Sequence, residues 1–163
     1  YHARHQTNSD FSQDFYTVGS MGHCNSIACG ISIAKPHSRI ICIDGDGSVI
    51  MHMGNLLSMS NYSNNIIHIV LNNGIHESVG NHETHAKDIN FANICKQLGY
   101  SETHLLSKYW KDELNDIFND NTKNTKFAQI NIRPGVVDDL GRPKHTPIDA
   151  KNEFIKRHFS YYI

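Results

Sequence analysis

Asp46 and Asn73 are the residues whose type and spacing are best suited to chemistry. Each closes an apolar run: residues 40–44 lead into Gly45-Asp46-Gly47-Ser48, and residues 65–71 lead into Asn72-Asn73. A carboxylate and a carboxamide are hard oxygen donors, suited to Mg²⁺ or Ca²⁺ rather than to a soft metal. Gly45 and Gly47 leave backbone N–H groups open where a helix should begin, and a phosphate is well received there. The pair reads as a metal–phosphate site. Two common phosphate motifs do not fit it. A dinucleotide fingerprint needs a third glycine where this chain has Ile50, and a P-loop needs a Gly-Lys-Ser/Thr sequence that is missing altogether.

The elements that must position this pair follow from pattern. The two apolar runs read as buried strands, apolar on both faces, and residues 48–62 between them read as one helix with Ile50, Met53 and Leu57 on a face. Asp46 and Asn73 are 27 residues apart. A strand–helix–strand unit of that length makes the strands parallel and brings both ends to the same edge of the sheet. Elsewhere the pattern predicts a short strand at 15–18 that stops at Gly19-Ser20-Met21-Gly22, and a helix of small apolar residues at 25–35, just before Pro36. It also predicts a helix at 89–98 closed by Gly99, and one at 109–118 with Trp110, Leu114, Ile117 and Phe118 turned inward. A strand at 127–132 and a closing helix at 149–159 complete the set. Strands alternating with helices, through connections too long for hairpins, predict an α/β fold: three layers, α/β/α, with a mainly parallel sheet. Residues 1–14 read as an arm or the remnant of an upstream linker, and residues 15–163 as the domain. The polar stretch 72–88 is a long connection of the kind on which binding residues collect.

Bulk properties exclude several functions. A net charge of −1 without a basic block offers no electrostatic footprint for nucleic acid. No apolar run approaches the length of a membrane span, and no signal-peptide pattern opens the chain. The four cysteines (Cys24, Cys29, Cys42, Cys95) have no Cys-x-x-Cys spacing. They read as small buried residues in a reducing, cytoplasmic setting. His82 and His85 sit close together, but no further ligand stands nearby to complete a zinc set.

Gly-Asp-Gly followed just under thirty residues later by Asn-Asn resembles the cofactor motif of the thiamine-diphosphate-dependent decarboxylases. The resemblance implies that Asp46, Asn73 and the backbone oxygen of Ile75 hold Mg²⁺, which in turn holds the diphosphate. Gly45, Gly47 and Ser48 would add donors around it. Val18-Gly19-Ser20-Met21-Gly22 is similar to the loop under the aminopyrimidine ring in that family. It implies that the Gly19 carbonyl accepts from the ring's amino group, that Ser20 borders the cofactor, and that Met21 wedges the cofactor into a bent shape. Residues 76–80 (His-Glu-Ser-Val-Gly) resemble the loop over the reacting end of the cofactor, with Glu77 where the family commonly has Asp. His76 and Ser78 become the candidate catalytic residues.

Within the family the wording is most similar to the branch that decarboxylates phosphonopyruvate. The likeness rests on the motifs at 17–23, 44–47, 51–54, 70–74, 139–143 and 146–148, and covers about residues 15–158. It implies decarboxylation of 3-phosphonopyruvate to phosphonoacetaldehyde and CO₂. Arg133, Arg142 and Lys144 are the cations available for a small anionic 2-oxo acid. The alternatives are a β-type subunit acting on sulfopyruvate, which the chain's size favours, and a non-catalytic cofactor-binding or assembly module. The family also needs a glutamate from a pyrimidine-binding domain, and residues 1–163 supply no such domain. The chain is therefore expected to be a small subunit or the carboxyl-terminal piece of a longer protein. It would work in a homo- or hetero-oligomer with a pyrimidine-binding domain or α-type subunit.

Overall fold

The computed structural model describes residues 13–141, 143 and 145–159. The chain forms two compact units, one of residues 21–135 and one built from residues up to 20 together with those from 136 onward.

In the larger unit, helix α1 (Cys24–Ala34) precedes strand β1 (Ile40–Gly45), helices α2 (Asp46–Met51) and α3 (Asn55–Tyr62), and strand β2 (Ile66–Asn72). A hairpin of β3 (Ile75–His76) and β4 (His82–Glu83) follows, then helix α4 (Phe91–Gln97), strand β5 (Glu102–Leu105), helix α5 (Trp110–Asn119) and strand β6 (Lys126–Asn131). The sheet runs β1-β2-β6-β5 with every pairing parallel.

The two faces of the sheet explain the layers. Cys42, Ile66, Val70 and Phe127 join Ala28, Leu56, Met59, Phe91 and Cys95 in one core, so α1, α3 and α4 cover that face. Ile67, Ile69, Ala128 and Ile130 join Leu106 and Ile117 in a second core, so α5 covers the other. Alternate residues of a strand point to opposite faces, and β2 is buried on both. The expected α/β/α layering with a parallel sheet is what forms.

Several local expectations are corrected. The helix expected at 48–62 is two helices, broken at 52–54, where Gly54 has little helical preference. Strand β1 lies at the sheet edge, and Ile41 (50% exposed) and Ile43 (58%) are not buried. The polar connection 72–88 contains the β3–β4 hairpin. Trp110 is exposed, at the first residue of α5, whereas Leu114, Ile117 and Phe118 do pack inward. Strand β5, Glu-Thr-His-Leu, has no counterpart among the strands the pattern predicts. Helix α4 starts on Asn90, whose side chain accepts from the Asn93 amide at 2.9 Å, and stops before Gly99 at φ +96°.

In the smaller unit, residues 15–18 form no strand. Helix α6 (Pro147–His158) begins at Thr146, whose hydroxyl accepts from the Asp149 amide, and has proline in its first turn and Lys156, Arg157 and His158 in its last. Phe154 packs edge-on against Phe15, with ring centroids 5.4 Å apart. The expected arm lies largely outside the described residues, as do Arg142 and Lys144. No described helix is long and apolar enough to cross a membrane.

Candidate functional site

The carboxyl ends of β1 and β2 are neighbours in register, Gly45 pairing with Leu71. Asp46 and Asn73 therefore leave the sheet side by side, and the Asn73 amide donates to Asp46 Oδ1 at 3.4 Å. Above them opens a cavity of about 460 Å³. Its lining includes Met21, Gly45, Asp46, Gly47, Ser48, Asn73, Ile75, His76 and Ser78, all of them expected site residues. Gly19 (φ +73°) and Ser20 belong to the smaller unit.

Asp46 is 2% exposed. The Thr84 hydroxyl donates to its Oδ2 at 2.5 Å, a short bond of the kind expected for O–H to a carboxylate. Thr84 Oγ1 in turn accepts from the Ala86 amide at 3.2 Å. Asn73 closes a local turn: its Oδ1 accepts from the Ile75 amide at 3.1 Å, and its Nδ2 donates to Glu77 Oε2 at 2.9 Å. The other Glu77 oxygen accepts from the Gly135 amide, so Glu77 ties the metal-motif loop to the chain beyond β6. The neighbouring Asn72 has a bracing role. Its Nδ2 donates to the Ala86 carbonyl at 2.8 Å and its Oδ1 accepts from the Gly74 amide at 3.2 Å. Gly74 itself sits at φ +75°, where a side chain would be strained.

Met21 reaches the same cavity because its loop is pinned to α2 and α3. The Gly22 amide donates to Ser48 Oγ at 2.8 Å, and Asn55 Nδ2 donates to the Gly22 carbonyl at 3.2 Å. Ser48 keeps its own O–H proton free to donate. The His76 ring lies directly over Gly47, so close that a Cβ at position 47 would collide with it. Ser78 is exposed on the one-turn helix that follows.

The donor set decides what this cavity can hold. Asp44, Asp46 and Glu77 all line it, and among the described residues no lysine or arginine does. A diphosphate on its own would be repelled, whereas a divalent cation on hard oxygens would neutralise and orient it. The residues present therefore fit a Mg²⁺-bound diphosphate, with the first-turn amides of α2 lacking intrahelical partners. Thr84 and Asp44 were not singled out from sequence. A lone threonine in a polar loop carries no signal of its own, and Asp44 looked like part of a strand.

The family profile of the thiamine pyrophosphate enzymes, C-terminal TPP-binding domain, matches residues 1–132. The chain belongs to this family. Among its relatives, phosphonopyruvate decarboxylase of Streptomyces viridochromogenes is 33% identical over 151 residues, covering 91% of this chain and 37% of that one. The chain thus spans little more than a third of that relative's length. Sulfopyruvate decarboxylase subunit beta of Methanocaldococcus jannaschii is 33% identical over 142 residues, covering 78% of this chain and 74% of the subunit. In fold, the chain is similar to the X-ray structure of a Mycobacterium smegmatis protein assigned to the thiamin diphosphate-dependent enzymes. The TM-score is 0.59 at 17% identity, over 72% of this chain and 23% of that one. This TPP-binding domain thus has relatives both as one part of a long chain and as a small separate subunit.

Proposed function

We propose that this TPP-binding domain is the diphosphate-binding half of a thiamine-diphosphate- and Mg²⁺-dependent 2-oxo acid decarboxylase, with 3-phosphonopyruvate as substrate and phosphonoacetaldehyde and CO₂ as products. The observation that carries it is the meeting of three carboxylates, Asp44, Asp46 and Glu77, with Asn73 around one cavity at the ends of two adjacent parallel strands, with no described lysine or arginine in its lining. The bound cofactor supplies the electron sink for loss of CO₂. Asp46 would give Mg²⁺ a carboxylate, with the Asn73 carboxamide and the Ile75 carbonyl beside it. Gly45, Gly47 and Ser48 would donate to the diphosphate, and Gly19, Ser20 and Met21 would receive the pyrimidine end. His76 and Ser78 line the same cavity and would face the reacting end of the substrate, where the His76 imidazole would hold or deliver a proton.

The pyrimidine-activating glutamate would come from a second domain or an α-type subunit, as the name of the M. jannaschii relative, subunit beta, suggests. That relative also supports a second reading, in which the substrate is sulfopyruvate. Cofactor binding tests the core of the proposal. Asp46→Ala should abolish Mg²⁺-dependent binding of thiamine diphosphate by the full chain, read by calorimetry, and unchanged binding would remove the metal assignment. Turnover of phosphonopyruvate and sulfopyruvate in competition, with the partner domain present, separates the two substrates.

A further inference from the structure

At the wall of the same cavity, where Asp44 lines it, three potential ligands from two elements meet. Cys24 opens helix α1, while Cys42 and Asp44 are two residues apart on β1 and so share a face of the sheet. Cys24 Sγ and Cys42 Sγ are 3.7 Å apart. These sulfurs and a carboxylate oxygen of Asp44 all lie within 4.8 Å of one another. Two thiolates on one tetrahedral Zn²⁺, with bonds near 2.3 Å, stand about 3.8 Å apart. The observed sulfur separation needs no adjustment to meet that, and the carboxylate needs a shift of about 1 Å.

A second observation points to a ligand independently. Asp44 Oδ2 is buried without a hydrogen-bond partner, and so are both ring nitrogens of His68, a residue with no exposed surface. His68 pairs with Cys42 in register on β2, and its Nε2 lies 3.7 Å from Asp44 Oδ2. Unsatisfied polar atoms in a core are costly, and each one asks for an explanation. A cation on Asp44, with the His68 Nε2–H turned to its carboxylate, would satisfy Asp44 and one of the two ring nitrogens, in the way outer-shell groups usually support a metal ligand.

We infer that Cys24, Cys42 and Asp44 form a binding site for a thiophilic divalent cation, Zn²⁺ in the first place, with His68 holding Asp44 in position and a fourth coordination place open toward half-buried Cys24. Its donor chemistry differs from that of the oxygen-only Asp46–Asn73 pair, which takes no part in it. Binding sends the two thiol protons to solvent and replaces them by metal–sulfur bonds. Its consequence is mechanical: the start of α1, and with it the Met21–Gly22 loop, becomes fastened to β1 two residues before Asp46.

Co²⁺ tests the site directly, because only thiolate ligation gives the sulfur-to-metal charge-transfer band and the chain's many histidines cannot. The full chain, reduced and stripped of metal, should take up one Co²⁺ with that band and release it to Zn²⁺. Cys24→Ser and Cys42→Ser should each cut the band to about half or less and weaken Zn²⁺ binding at least about tenfold. Absence of the band, or equal Zn²⁺ affinity in the variants, overturns the inference. Should a variant fail to fold, the folded wild type still decides. Zn²⁺ must slow alkylation of Cys24, measured by peptide mass, and an unchanged rate, or a Cys24–Cys42 disulfide forming as fast with Zn²⁺ as without, overturns it equally.

Discussion

Replacing Thr84 by valine keeps the shape of a 7%-exposed side chain and deletes one hydroxyl. That hydroxyl has two partners, Asp46 Oδ2 as acceptor at 2.5 Å and the Ala86 amide as donor at 3.2 Å. A hydrogen bond to a charged group contributes about 1.5–3 kcal/mol, and a buried amide left without an acceptor costs about 1 kcal/mol or more. The other donor to Asp46, the Asn73 amide at 3.4 Å, is too long to compensate. Thr84→Val should therefore lose about 3 kcal/mol, which in a domain of this size lowers Tm by about 6–12 °C. Thr84→Ser retains the hydroxyl and loses one methyl, so it should cost only about 1 kcal/mol. Thermal melts of the full chain in chelator provide the comparison. Mg²⁺ with thiamine diphosphate should recover part of the valine variant's loss, because a cation on Asp46 takes over from the missing donor. A valine variant melting within about 2 °C of wild type would refute the idea that Thr84 holds Asp46, with the conversion given above.

Gly47→Ala should force the His76 ring from its place over Gly47, at a cost of about 1–3 kcal/mol. His76→Ala in the same chain should relieve it, so a double-mutant cycle by urea denaturation that comes out additive would remove the contact from the account. Asp120 gives a pH signature. Hydrogen bonds from Lys126 first, then Thr122, hold its carboxyl well below the usual carboxylate range. A depressed folded-state value means stability that is complete above the ordinary value of 3.8 and fades as pH falls below it. Asp120→Asn should thus be less stable than wild type near neutral pH, with the difference closing in acid; a pH-independent offset in chemical denaturation would count against the pairing.

The parallel sheet was legible in the sequence where local pattern and covalent proximity carry the information. Residues 40–44 and 65–71 are apolar runs on either side of a helical segment, and a parallel unit of that length has few ways to fold. That pattern alone brings Asp46 and Asn73 to one edge of the sheet. Strand β5 escaped because Glu-Thr-His-Leu has neither alternation nor β-branched density; only its pairing with β6 makes it a strand. The break between α2 and α3 escaped because helical periodicity runs through it. There Asn55 uses its side chain to hold the Gly22 carbonyl and Asn25 Oδ1, contacts to a helix far back in the chain.

By itself, then, the sequence of this chain determined the parallel sheet, the pairing of a carboxylate with a carboxamide at its edge, and the loop bearing Met21, because each depends on residues within one strand–helix–strand unit or on one motif. Tertiary structure alone decided which groups stand behind them. Thr84 reaches Asp46 across 38 residues, and Cys24 reaches Cys42 across 18. No periodicity records such meetings, since they arise where a hairpin folds back over a strand end and where a helix start docks on the sheet edge.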